Sequence, residues 1–239
     1  MDELDPFATP HRHPTPTRPL LGLTILVVED SRYASEAMRL LCLRSGARIR
    51  RADCLKSAHR HLQVYRPAVI VIDLGLPDGS GLSLIRDLAN SVPRVGVILG
   101  TSGEDAAEDA ALAAGADGFL AKPVTSLASF QQAVLSRLPA KDRPAGLRLC
   151  EDEQIEPDPI AFQDDMAHVA DVLNESQDDK VLDYVAQFVG GIARSAGDTS
   201  LAAAGGGRAR TWGCAGPVAT ATARIAGLVQ ERLLQRKAI

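Results

Sequence analysis

The stretch Val69-Ile70-Val71-Ile72-Asp73, followed at once by Leu74-Gly75-Leu76-Pro77-Asp78-Gly79-Ser80-Gly81, decides the reading of this chain. Five residues that suit a strand buried on both faces end on a carboxylate and run into a turn built of Gly, Pro and Asp. Three further apolar runs end in the same manner. Thr24-Ile25-Leu26-Val27-Val28 leads into Glu29-Asp30, Val95-Gly96-Val97-Ile98-Leu99 stops near Thr101-Ser102, and Phe119-Leu120 leads to Lys122-Pro123. In a parallel sheet all four endings lie along one edge, the edge where open α/β folds bind their ligands.

Between these runs the period changes to that of a helix. Ser31 is a suitable N-cap for a helix with Ala34, Met38 and Leu41 on one face, and Gly46 stops it. A short strand is expected over 47–52, then a helix carrying Leu55, Ala58 and Leu62 that closes before Pro67. Helices are expected over 82–90, 104–114 and 127–138, with a last strand over 118–121. Five βα units in succession predict a parallel sheet sandwiched between helices. The right-handed crossover rule leaves few topologies, and we expect the flavodoxin-like, doubly wound order 2-1-3-4-5.

Carboxylates gathered at one strand edge repel by about 4 kcal/mol per close pair at an effective dielectric near 20. Such a group persists when a divalent cation occupies it or when one acid is protonated. An all-oxygen donor set suits Mg²⁺, which keeps waters and takes phosphate oxygens as further ligands. A carboxylate beside such an ion can attack phosphorus as a nucleophile.

The acid pair, the lone Asp, the hydroxyl and the Lys-Pro, in this order, resemble the receiver domain of bacterial response regulators. The resemblance covers about residues 23–138. It implies Asp73 as phosphoacceptor and Glu29 and Asp30 as the pair that binds Mg²⁺, Asp30 directly and Glu29 partly through water. The backbone carbonyl of Gly75 would complete the protein's metal ligands. It further implies Thr101 as the switch hydroxyl, with Gly100 as the other occupant of that position, Phe119 as the rotating aromatic and Lys122 as the phosphate partner. Pro123 is a candidate for a cis peptide bond that aims the lysine. Gly75 and Gly103 have no side chain to cover the pocket. That predicts easy access of water and small phosphodonors to Asp73, unless both glycines serve only the backbone conformation of a turn.

The rest of the chain supplies less chemistry. The expected division is a disordered tail over 1–20, rich in Pro and basic residues, the receiver domain over 21–138, a linker over 139–159 and a small all-α region over 160–239. His11 and His13 stand in the tail and are not expected to hold a metal. Apolar residues recur at helical spacing from Ile160 to Leu173, from Val181 to Ile192 and again from Ile225 to Leu233. The Ala- and Gly-rich part from 203 to 216 is expected to be loose, leaving Trp212 partly exposed. His168 lacks the Lys-Gly that follows a phosphotransfer histidine and reads as a solvated or packed side chain. The four cysteines, Cys42, Cys54, Cys150 and Cys214, are scattered, and neither a leader nor a membrane-spanning run is seen. This composition is expected of a cytoplasmic protein.

The expected function is that of a phosphorylation-dependent response regulator in a two-component phosphorelay, and not of an enzyme with a separate catalytic output. It would receive the phosphoryl group from a sensor histidine kinase or a histidine phosphotransfer protein. It would relay the change through its helical region to a downstream protein partner, with a homodimer as a further assembly. The alternative is a DNA-binding transcriptional regulator using the basic last helix. Net charge of −4 and the acidic 151–183 stretch argue against that alternative.

Overall fold

The computed structural model describes residues 13–104, 106–144, 152–175, 178–209 and 218–235. The first part alternates strand and helix: β1 (Thr24–Val28), α1 (Arg32–Ser45), β2 (Arg48–Ala52), α2 (Leu55–Val64) and β3 (Val69–Asp73). A small antiparallel ribbon, β4 (Gly75–Leu76) with β5 (Gly79–Ser80), leads into α3 (Gly81–Ala89). β6 (Val97–Ser102), α4 (Ala107–Ala113), β7 (Gly118–Ala121) and α5 (Leu127–Leu135) complete it. The five long strands are parallel in the order β2-β1-β3-β6-β7, the expected doubly wound order once the ribbon is set aside.

Alternation along the central strands fills two cores. Ile25, Val27, Val69, Val71, Val97 and Leu99 face Met38 and Leu41 of α1 and Phe130 and Val134 of α5. Leu26, Val28, Ile70, Ile72 and Ile98 face Ala58, Leu84, Ile85 and Ala111 of α2, α3 and α4. Full burial of such side chains contributes about 1.5–3 kcal/mol each, so packing on both faces holds the sheet edge rigid. Helix starts follow local chemistry. The hydroxyls of Ser31, Ser80 and Ser126 accept from Ala34, Leu82 and Ser129 backbone N–H, and Gly46 ends α1 at φ 83°.

Several expected boundaries move. The fourth long strand spans Val97–Ser102 instead of 95–99, because pairing with β3 and β7 on either side carries polar Thr101 and Ser102 into the ladder. α4 starts at Ala107, since Ser102 Oγ accepts from Glu104 N and turns the chain first. α5 ends at Leu135. Leu20, placed in the expected tail, is fully buried in the first core. Ile155, within the expected linker, is buried in the same core, its N–H bonded to the Thr125 carbonyl. His11 lies outside the described residues, and His13 is exposed.

The C-terminal part folds as α6 (Pro159–Glu175), α7 (Asp179–Ser195), α8 (Thr199–Ala209) and α9 (Val218–Gln235) around Met166, Val169, Val185, Val189, Ile192, Leu201, Ile225 and Val229. The expectation of a loose chain from 203 is corrected as far as Ala209. A Cβ on Gly205 would lie 2.7 Å from the Gly190 Cα and the Ala186 carbonyl oxygen, so the lack of side chains lets α7 and α8 touch backbone to backbone. Close packing outweighs the low helix propensity of glycine here. Trp212, Cys150 and Cys214 lie outside the described residues. His168 is exposed and meets Phe188 edge-on at 6.0 Å. No helix among the described residues is long and apolar enough to cross a membrane.

Candidate functional site

The carboxyl ends of β1, β3, β6 and β7 bring the expected residues together. Carboxylate oxygens of Glu29, Asp30 and Asp73 lie within 4.8 Å of one another. Lys122 reaches in from the end of β7 and sets its ammonium 2.8 Å from Asp73 Oδ2 and 2.7 Å from Glu29 Oε2. The Lys122-Pro123 peptide is cis, as expected; a second cis bond, Val92-Pro93, had no signal in the sequence reading. Glu29 and Asp73 are buried, and only 8% of the Lys122 side chain is exposed.

Burial shapes the charges. It raises Glu29 well above the usual carboxylate range, with Lys122 opposing and Asp73 and Asp30 adding. Asp30 is pushed up to about 6, first by burial and then by Asp73, against the Tyr184 hydrogen bond and Lys122. Burial disfavours a charged Lys122, yet Asp73 and Glu29 outweigh it and hold the ammonium above the ordinary lysine range. Three acids opposed by one ammonium leave negative charge in excess. An all-oxygen group with surplus charge fits a hard divalent cation such as Mg²⁺.

Thr101 is paired in register with Asp73, and its buried hydroxyl donates to the Leu120 carbonyl at 2.7 Å. Gly100 lies opposite Ile72 and Phe119. A Cβ there would meet the Ala111 methyl at 2.8 Å and the Phe119 ring at 3.3 Å. Phe119 is half-buried against the second core. Gly75 donates its N–H to Asp73 Oδ1 at 3.3 Å.

The second half of the site, unexpected from the sequence, comes from the C-terminal helices. Tyr184 of α7 donates to Asp30 Oδ2 at 2.7 Å, and Gln187 donates to Glu104 Oε1 at 3.0 Å. Asp165 of α6 accepts from the Ser31 hydroxyl and from the N–H groups of Arg32 and Tyr33 at 2.8–3.0 Å. The small cavity between the acids and α7 is lined on one side by Asp30, Asp73 and Lys122 and on the other by Gln187, Gly191 and Arg194. The pocket is thus covered, and the expectation of an open site above Gly75 and Gly103 is corrected. One signal was present. Tyr184, Gln187, Gly191 and Arg194 recur at three- and four-residue spacing and fall on one helix face.

Comparison with known proteins finds similarity in the first part of the chain. The model of the response regulator receiver domain matches residues 25–134. The KDP operon transcriptional regulatory protein KdpE of Escherichia coli K12 is 35% identical over 99 residues, 41% of this chain and 44% of KdpE. The virulence transcriptional regulatory protein PhoP of Shigella flexneri is 32% identical over 120 residues, 48% of this chain and 53% of PhoP. The chain therefore spans about half the length of the relatives it matches. A two-component response regulator of known structure from Clostridium difficile shares 22% identity at a TM-score of 0.44, over 48% of this chain and 93% of its own. Over residues 25–134 the chain is similar to response regulator receiver domains.

Proposed function

We propose that the chain is a phosphorylation-dependent response regulator in which Asp73 accepts a phosphoryl group from a histidine kinase or phosphotransfer protein. The observation that carries this reading is the Lys122 ammonium, held between Asp73 and Glu29 inside a three-acid pocket at the carboxyl edge of the sheet. An Asp73 carboxylate oxygen attacks the phosphorus and the P–N bond of the donor phosphohistidine breaks. The bonding pair leaves with the imidazole, which takes up a proton. Lys122 meets the charge that develops on the transferring oxygens. Asp30, Glu29, Asp73 and the Gly75 carbonyl would hold Mg²⁺, which supplies further neutralisation of that charge. Thr101 would then leave the Leu120 carbonyl for a phosphoryl oxygen, and Phe119 would turn into the space behind it. Autodephosphorylation and a cytoplasmic setting accompany this reading.

The output passes through α6–α9 to a protein partner, because these helices dock on the very edge that the phosphoryl group would change. A second reading, DNA binding, draws on the names of KdpE and PhoP as transcriptional regulatory proteins. Against it, Arg232 of the basic helix α9 is tied to Asp198 at 2.7 Å. Duplex binding that weakens steeply with salt would favour DNA. The central test is incubation with acetyl phosphate and Mg²⁺. We expect a mass gain of one phosphoryl group in the wild type and none in Asp73→Asn; an unmodified wild type would overturn the reading.

A further inference from the structure

Gly75 and Gly103 flank the Asp73 pocket from the turns after β3 and β6, and each faces a side chain of α7. A Cβ on Gly75 would lie 2.7 Å from Gln187 Nε2 and 3.1 Å from its Oε1. A Cβ on Gly103 would lie 2.7 Å from both Nε and Nη2 of Arg194. The two glycines therefore form seats for side chains that arrive from another part of the chain. Gly191 stands between those two on the same face, and a Cβ there would meet nothing within 4 Å. The helix so presents one amide and one guanidinium on either side of an open space.

Arg194 carries the second observation. Its Nε is buried and has no hydrogen-bond partner, although Arg194 lines a cavity that contains four carboxylate side chains, those of Glu29, Asp30, Asp73 and Glu104. A buried N–H of a cation left without an acceptor costs about 1–3 kcal/mol or more, and persists where a ligand supplies the acceptor. Guanidinium donors suit the fork of oxygens on a phosphoryl group, and a neutral amide beside them bonds either a phosphoryl oxygen or a water.

We propose that α7 is a working wall of the phosphorylation pocket, in which Arg194 and Gln187 are positioning residues for the group attached to Asp73. Arg194 binds phosphoryl oxygens at the Gly103 seat. Gln187 closes the Gly75 side and sets how water reaches the phosphorus. Hydrolysis there breaks the bond from phosphorus to the Asp73 oxygen, transfers phosphoryl to water, and returns the carboxylate and inorganic phosphate. The C-terminal helices thus take part in the phosphoryl chemistry as well as in its output. The inference rests on Asp73 being the phosphoacceptor.

The test uses the full chain with Mg²⁺ and beryllofluoride, and separately the lifetime of the acetyl-phosphate-derived adduct by intact mass. Arg194→Ala should weaken beryllofluoride binding at least tenfold, and Arg194→Lys, which keeps the charge without the fork, should lose less. Gln187→Ala, a change at an exposed side chain, should alter the adduct lifetime at least threefold. Thermal unfolding of each variant separates these effects from a loss of fold. Wild-type affinity in Arg194→Ala together with an unchanged lifetime in Gln187→Ala would overturn the proposal. Losses in the Arg194 variants that only follow a fall in their unfolding temperature would show that Arg194 acts only in packing, and would overturn its part. A wild type that neither binds beryllofluoride nor is phosphorylated would instead fail the phosphoacceptor reading itself.

Discussion

The Tyr184 hydroxyl donates to Asp30 Oδ2 at 2.7 Å, so a helix of the C-terminal bundle holds an oxygen that a cation in the acidic pocket would need. Burial, with Asp30 adding, raises the tyrosine above its ordinary range, so it stays a donor at neutral pH. Helix docking and cation binding both draw on the Asp30 carboxylate, and its hydrogen bond to Tyr184 withdraws charge that a cation would use. Tyr184→Phe removes that hydrogen bond while keeping the ring beside Phe188 at 5.6 Å. A hydrogen bond to a charged group contributes about 1.5–3 kcal/mol, part of which solvent returns in the variant, so Mg²⁺ affinity should rise roughly threefold to tenfold. Calorimetric titration of both proteins checks this. Equal affinities would mean that Asp30 is free of Tyr184 in solution.

Asp165 makes the other tie between the two parts. It is 2% exposed and gives acceptors to the Ser31 hydroxyl and to two N–H groups in the first turn of α1, where the helix dipole also favours negative charge. Ser31 Oγ in turn accepts from Ala34 N, so one hydroxyl links the cap to the bundle. Asp165→Ala strands three donors and should destabilise the chain by about 2–3 kcal/mol, judged by the cost of lost caps and unmet buried donors. Asp165→Asn retains one acceptor oxygen and should cost less. Urea midpoints of the two variants test the order.

The sheet and its edge were legible because strand burial, the Ser31 cap and the Gly46 stop are local signals, each readable within about ten residues. Glu29, Asp30, Asp73 and Lys122 could be brought together from the sequence because parallel topology leaves a strand end nowhere else to go. Thr101 was readable as a residue of that edge, but not its bond to the Leu120 carbonyl, which depends on where a rotamer settles between two strands. The docking of α7 on the pocket could not be read. Gly75 and Gly103 were visible as gaps, and Gln187 and Arg194 as polar positions on an amphipathic helix. Matching them requires the relative placement of two packed bodies, which periodicity does not encode. Helix α8 was misread for a related reason, since Gly205 lowers propensity locally while permitting contact with Gly190.

Thr101 tests the coupling inside the first part. In the present structure its hydroxyl is bonded to Leu120, 1% of the residue is exposed, and Phe119 lies beside Gly100. Removing the hydroxyl leaves Asp73, Asp30 and Lys122 in place. Thr101→Ala should therefore still be loaded by acetyl phosphate, at about 1 kcal/mol lower stability for the lost bond. The backbone shifts around Phe119 that accompany beryllofluoride binding should vanish. If those shifts survive in the variant, the signal leaves Asp73 by another route.

The Asp198–Arg232 pair gives the bundle a pH dependence that is separate from the acidic pocket. Asp198 accepts from Arg232 Nε at 2.7 Å, from Leu201 N–H at 3.0 Å and from the Ser200 hydroxyl at 2.8 Å. The Arg232 hydrogen bond, ahead of the other donors, holds its carboxyl well below the usual carboxylate range. A carboxyl depressed by folding contributes stability above its unfolded pKa, near about 3.9, and loses it as pH falls toward the folded value. The pair therefore contributes in full at pH 7 and fades below about pH 4, the opposite of a group whose pKa folding raises. Both side chains are less than one-fifth exposed, so Arg232→Gln should destabilise by about 1–2 kcal/mol at neutral pH, above the usual worth of a fully exposed pair. Urea melts of wild type and variant followed from pH 7 down to the acid limit of folding should converge as Asp198 protonates. Curves that stay parallel over the whole range would remove Asp198 as the titrating group.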